Sequence, residues 1–468
     1  MGLLRFEMLR GEIAEDEIPA LREFCETAVA ERYSPMLAGA MKFQAEALGV
    51  ERTVLDPAAA GDRPFRQTQT RFAEVFPTSH GVVALDVRVH EGMYRQMPEG
   101  HVVAESATPV LTLYGIGSEQ ISVPLNEIGD LIRERFELDL STSHYNSQGF
   151  TKLKEEGRTS PPKPTSEEEA SARLLTDNAA RRAAVGIASS GGLLRHDLAK
   201  HLGDAADRSE EIERVLRESP LVDIDLVVTC KSKSTQVARA PSRDALEQMA
   251  ENGLKCACGR EILKERIDEA LTLTEHGRKM LNGSYWMTVL VVSELVDLGL
   301  DLDRMLIEQV AGGDEMDFFV DVSGDLVLME LKDKEFNLGN AYSFGSKTGI
   351  FQPKYPVIVT SAYVGNDAKE HFDQAASARE SAGRFGETEN VIADITYIEG
   401  LENLRPQLEE LVERPYRQDA TAVLGRILPS AAPSGESVVA GLRAAAGLAV
   451  EAEPPSDEER AAPASSEE

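Results

Sequence analysis

The chain has 468 residues, and its 80 Asp and Glu against 49 Lys and Arg give a net charge of -31. That length allows two to four domains with sizeable cores and no need of disulfides, and four cysteines do not make a secreted disulfide framework. So large an acidic excess repels nucleic-acid phosphates, but it is uneven: residues 151–260 are charge-balanced, and the segments on either side are acidic. The middle is therefore where a polyanion meets no net repulsion, unless the whole surface simply serves solubility. No apolar run approaches the ~18 residues of a membrane span, no signal segment opens the chain, and Phe6 stands where a myristoylation motif needs Ser or Thr. A soluble cytoplasmic protein without membrane attachment is expected.

Residues 1–146 read as a mixed α/β domain. Helical patterns at 15–32 and 35–48 precede extended segments at GVVALDVRV and PVLTLYGIG and a helix over 126–136. No metal spacing, nucleophile motif or phosphate loop occurs there, which leaves regulation, homo-oligomerisation or docking of a protein partner. Residues 147–172, with SPPKPTSEEE, have a linker's composition. In 173–262, Leu194, Leu198 and Leu202 and then Ile212, Val215 and Leu216 mark two short amphipathic helices, followed by the strand DIDLVVT. That order predicts a winged-helix-like unit, with Lys231, Lys233, Arg239 and Arg243 as a positive wing on DNA, or else a plain helical hairpin packed on its neighbours.

Cys230, Cys256 and Cys258 bracket the same basic loop and resemble a zinc ribbon with eroded ligands. Lys233 stands where the first knuckle's second cysteine belongs, and the second knuckle has one residue between its cysteines where two are usual. His196, His201 or His276 would complete a zinc site only by tertiary approach; small buried thiols are the plain alternative. Residues 263–425 then predict a further α/β domain, and the Ala-, Ser-, Pro- and Glu-rich stretch 426–468 a disordered acidic tail.

Within that domain, DEMDFFVDVSGDLVLMELKDKEF reads as a β-hairpin turning at Ser323-Gly324. Pairing Val322 with Asp325 sets Asp317 opposite Glu330 and Glu315 opposite Lys332. Strand periodicity puts all four on one face. Opposed Cβ atoms lie roughly 4.5 to 5.5 Å apart, so two carboxylates there call for a cation between them. On the preceding apolar helix, WMTVLVVSELVDL, Glu294 is a third carboxylate among Leu290, Val291 and Leu298. A salt-bridged, solvated hairpin face with Glu294 at a wet helix edge is the plain alternative.

A helix with Glu294, a strand with Asp317, a strand with Glu330-Leu331-Lys332 and the apolar strand VIVTS leading into a helix together resemble the PD-(D/E)xK, or restriction-endonuclease-like, nuclease superfamily over residues 284–380. Met316 replaces the motif's proline. The resemblance implies an α/β sandwich around a mixed sheet and Mg²⁺- or Mn²⁺-dependent hydrolysis of phosphodiesters, most naturally as a DNA endonuclease of defence or repair. Asp317, Glu330, the Leu331 carbonyl and Glu294 would hold the ion, Lys332 would stabilise developing charge, and Lys347 and Gln352 would touch substrate phosphate. Two other readings remain open here: a catalytically inactive nuclease-like DNA-binding or regulatory protein, and an acidic protein-binding scaffold.

Overall fold

The computed structural model describes residues 3–36, 68–90, 95–96, 102–103, 108–309, 316–383, 394–428 and 434–445. They belong to a mixed α/β chain of two compact units, Met1–Tyr145 with Glu409–Glu468, and Asn146–Leu408.

The first unit is built on an antiparallel sheet of β1 (Arg5–Glu12), β2 (Thr68–Thr78), β3 (Gly81–His90), β6 (Val110–Gly117) and β7 (Ser141–Ser143), in the order β2-β3-β6-β1-β7. Two-residue strands β4 (Arg95–Gln96) and β5 (Val102–Val103) pair separately. Alternation along the strands makes both faces apolar. Leu9, Val83, Leu85 and Leu113 meet α1 (Ile18–Phe24) and α2 (Ser122–Phe136) through Leu21, Ile128 and Ile132. Met8, Ala84 and Tyr114, on the opposite face, cluster with Ala420, Val423, Leu424 and Val439. The predicted helix over 35–48 lies outside the described residues apart from its first two positions.

In the second unit, the stretch expected to be a linker is ordered. The helix α3 (Gln148–Glu155) buries Phe150 and Leu153, the Ser147 backbone N–H donates to Asp321 at 3.1 Å, and Thr159 bridges Ile307. Two apolar side chains suffice to seat a segment whose composition is otherwise that of a linker. The next helix, α4 (Ser166–Thr176), opens on a reciprocal capping box between Thr165 and Glu168, and Lys279 meets the same Glu168 carboxylate at 2.8 Å. Burial pushes the Glu168 carboxyl up, but the bonds from Lys279 and Thr165 outweigh it and hold the group below its ordinary range. Its stabilising contribution is therefore full above the ordinary glutamate pKa and fades as pH falls through the lowered native value. Glu168→Ala is expected to lower the unfolding free energy by about 1 to 2 kcal/mol at neutral pH. The loss should shrink in acid, measured by urea denaturation at the two pH values.

There follow α5 (Asn178–Ser190), β8 (Leu193–Leu194), α6 (Leu198–Leu202), α7 (Ser209–Glu218), β9 (Val222–Thr229), β10 (Gln236–Ala240), α8 (Arg243–Glu251) and β11 (Arg266–Leu273). Their sheet runs β10-β9-β11-β8. Residues 230–265 thus form an insertion between the paired strands β9 and β11, in which Thr229 stands opposite Arg266.

After α9 (Glu275–Leu281) and α10 (Tyr285–Asp297) comes a mixed sheet of β12 (Met305–Gln309), β13 (Met316–Val322), β14 (Asp325–Lys332), β15 (Tyr355–Thr360) and β16 (Thr396–Glu399), in that spatial order. The first three strands are antiparallel, and β14, β15 and β16 are parallel. The helix α11 (Leu338–Phe351) links β14 to β15, and α12 (Asn366–Gly383) follows β15. Phe319, Leu328 and Ile358 pack against Phe344 of α11, Phe372 of α12 and Phe150 of α3.

Chain boundaries also differ from expectation. From 409 onward the chain belongs to the first unit, so α13 (Leu404–Ile427) starts in one unit and ends in the other. Part of the expected disordered tail is α14 (Gly435–Ala445), whose Val438, Val439 and Leu442 form an apolar stripe on the first unit's core. Residues 446–468 lie outside the described residues.

Candidate functional site

The β13–β14 turn places Ser323 at φ 53° and Gly324 at φ 86°, the paired left-handed residues of a tight two-residue hairpin. Val322 pairs with Asp325 and Asp317 with Glu330, as the turn predicts. Glu315 lies outside the described residues, so its predicted place opposite Lys332 goes with it.

Glu330 has no exposed surface, and Lys332, two residues on and on the same side of β14, is 2% exposed. Burying a carboxylate and an ammonium within a sheet costs several kcal/mol per ion unless each is compensated. Part of the compensation for Glu330 is Lys347 of α11, whose Nζ lies 2.8 Å from Oε2. Lys347, expected to touch substrate, therefore holds the carboxylate instead. Gln352 caps α11 at φ 47° and is exposed one turn beyond Lys347.

Glu294 is not brought to this group. Its carboxylate is taken by Arg405 at 2.8 Å, in a cavity of about 580 Å³ lined also by Arg173, Arg181, Asp297 and Ser361. Strand parity gives the reason. Even-numbered residues of β14 face α11, as the Lys347–Glu330 pair shows, whereas α10 meets the other side, where the Trp286 Nε1–H donates to Asp333 at 3.0 Å. Sequence order alone does not say which face of a sheet a preceding helix covers. Glu294→Gln is expected to leave any Mg²⁺-dependent cleavage at the wild-type rate, compared in a plasmid nicking assay.

Asp333 is a residue the sequence reading passed over. Besides Trp286, it takes Ser361 Oγ at 2.7 Å and Arg181 Nε at 3.0 Å. Three donors from α5, α10 and the end of β15 thus fix the chain next to Lys332, and the Lys332 carbonyl accepts the Ser361 N–H at 3.1 Å. Asp333 positions the lysine's strand end. The only sequence signal was its adjacency in Glu-Leu-Lys-Asp.

Three of the four cations expected on DNA are engaged within the unit. Lys231 Nζ donates to the Lys264 carbonyl at 2.6 Å, Arg239 pairs with Asp225 at 2.6 Å and Arg243 with Glu247 at 3.0 Å; Lys233 is exposed. On α7, Glu210 and Glu211 occupy the first turn, Arg214 pairs with Glu218, and Arg217 with Glu213. These pairs spend on the protein the charge that a nucleic-acid surface requires.

The cysteines do converge. Cys230, Cys256, Cys258 and Glu265 offer donor atoms that all lie within 4.8 Å of one another, a group that could hold a metal ion. Cys230 and Cys256 are buried at 1% and 3% exposure, and Glu265 at 5%. Burial opposes the Cys230 thiolate, but bonds from Cys256, Cys258 and the backbone N–H groups of Ser232 and Lys233 hold its pKa below the ordinary thiol value. For Cys256, the Cys258 N–H favours the thiolate, yet burial and the neighbouring thiols and carboxylate prevail and push it up to about 12. The Lys231 N–H at 2.7 Å and the Cys258 thiol at 3.0 Å donate to Glu265 and hold its carboxyl below the ordinary glutamate range. Among the described residues no histidine belongs to the group: His276 bonds Ser171, His201 packs under Gly186, and His196 lies 3.7 Å from Asp197. Glu265 went unseen because seven residues from Cys258 it has no ligand spacing; only the fold of β11 returns it.

Among the described residues, no helix is long and apolar enough to cross a membrane. Comparisons with protein-family models, with curated proteins and with solved structures return no match for this chain.

Proposed function

We propose that the second unit is a metal-dependent phosphodiesterase acting on nucleic acid, with its site on the α11 face of the β13–β14 hairpin. The observation that carries this reading is the pairing of Asp317 with Glu330 on adjacent inner strands, with Lys332 buried beside them. A sheet face that serves only stability gains nothing from a fully buried carboxylate two residues from a buried lysine. The strand order supports the reading too. A helix, three antiparallel strands, a helix and a parallel strand follow one another here, the order expected of a restriction-endonuclease-like α/β sandwich.

Oxygen donors from Asp317, Glu330 and the Leu331 carbonyl suit Mg²⁺ or Mn²⁺, hard cations that accept carboxylates and retain waters. Such an ion supplies charge neutralisation of the scissile phosphate and acidifies a water. Lys332 contributes a fixed positive charge, oriented before substrate arrives, to the negative charge that grows on the phosphoryl oxygens. Lys347 bonds the Glu330 carboxylate at 2.8 Å and keeps it in place within the sheet, and Asp333 fixes the strand end that carries Lys332.

Residues 178–229 with 266–273 have a winged helix's order of helix, strand, two helices and two strands, with 230–265 in place of the wing. The internal pairing of its cations favours a scaffolding role for that unit over reading DNA. The test is incubation of the full chain with plasmid, single-stranded DNA and RNA in Mg²⁺, Mn²⁺ or EDTA. Metal-dependent cutting of one class is expected, and no cutting of any class would shift the reading to an inactive nuclease-like module.

A further inference from the structure

The insertion 230–265 has a small apolar core. Its fully buried apolar residues are Ala240, Leu246 and Ile262, which cluster with Val228 of β9 under partly buried side chains such as Val237, Met249 and Leu263, and segments below about 40 residues usually need a disulfide, a metal or a partner to fold. Its cysteines are free. The four converging donors sit where a cross-link would act: Cys230 directly after β9, Glu265 directly before β11, and Cys256 with Cys258 in the turn after α8.

We propose that Cys230, Cys256, Cys258 and Glu265 are the four ligands of a structural zinc ion that pins the start, middle and end of this insertion to the β9–β11 pair. Three thiolates and a carboxylate make a closed tetrahedral set without an open position for substrate, and thiolates select zinc over the hard cations that carboxylates prefer. Zinc–sulfur bonds of about 2.3 Å imply donor separations of about 3.7 Å. Atoms already within 4.8 Å of one another therefore need only a small contraction.

The backbone is shaped for the same purpose. The Ser234 N–H closes a turn on the Cys230 carbonyl at 2.8 Å, with Ser234 at φ 52°, and the Gly259 N–H closes another on the Cys256 carbonyl at 2.8 Å, with Gly259 at φ 88°.

The experiment is metal analysis of the purified full chain, with cobalt substitution and competition against a chromophoric chelator. Wild type should carry about one zinc per chain, and cobalt should give the thiolate charge-transfer and intense ligand-field bands of a tetrahedral site. Cys256→Ser combined with Cys258→Ser should lose the ion. Glu265→Gln should bind zinc about tenfold or more weakly and shift the cobalt spectrum. Absence of zinc from wild type together with a weak octahedral cobalt spectrum overturns the site, and that readout does not depend on a variant folding. Unchanged zinc affinity and spectrum in Glu265→Gln overturn the fourth ligand. Metal content is independent of cleavage, so failure here leaves the phosphodiesterase reading standing, and the reverse holds.

Discussion

Lys332→Gln is expected to slow metal-dependent cleavage by about 10² to 10³-fold, the cost of removing one preorganised donor to developing oxyanion charge. The reason lies in where the ammonium sits. At 2% exposure it is screened by little water, so its field at a phosphate bound on this face would be stronger than that of a surface lysine. The strand end that carries it is fixed, because Asp333 is held by Arg181, Trp286 and Ser361. Glutamine keeps much of the stem and a polar tip but no charge. The loss, about 3 to 4 kcal/mol of transition-state stabilisation, should fall on kcat with KM nearly unchanged. Steady-state cleavage, with a thermal melt to verify folding, checks it.

Asp317→Asn is expected to weaken Mg²⁺ or Mn²⁺ binding by about 10²-fold or more and to abolish cleavage at low metal concentration. The register sets Asp317 opposite Glu330, so the variant would remove one of the two carboxylates proposed to hold the ion. Glu330→Gln should have the same effect on metal affinity, with an added consequence for stability. Its partner Lys347, 2.8 Å away and largely buried, would lose a carboxylate, and breaking such a pair from one side costs about 3 to 5 kcal/mol. Mn²⁺ titration followed by calorimetry, beside urea denaturation, separates the two. Loss of metal affinity without loss of stability is expected for Asp317→Asn, and loss of both for Glu330→Gln.

What the sequence made legible follows from which forces are local. The hairpin register was readable because a two-residue turn and period-two alternation determine it within a few residues. The strands of the first unit, β3 and β6, were readable from β-branched runs for the same reason. Glu294 was misplaced because a helix's position relative to a sheet is a tertiary fact. Its neighbour in space, Arg405, lies more than a hundred residues away in sequence. Glu265 escaped notice for the same reason, as strand β11 brings it to cysteines with which it shares no spacing. The basic residues Arg239 and Arg243 looked available because composition counts charges without showing their partners, Asp225 and Glu247. Two buried side chains on α3 and an apolar stripe on α14 ordered stretches whose average composition is that of linker and tail.

The most direct measurement is cleavage of plasmid DNA, single-stranded DNA and RNA by wild type and Lys332→Gln, purified identically and assayed in Mg²⁺, Mn²⁺ and EDTA. Wild type is expected to show metal-dependent cutting that EDTA stops and that the variant loses almost entirely while keeping its thermal stability. Cutting that persists undiminished in a folded Lys332→Gln protein would contradict it.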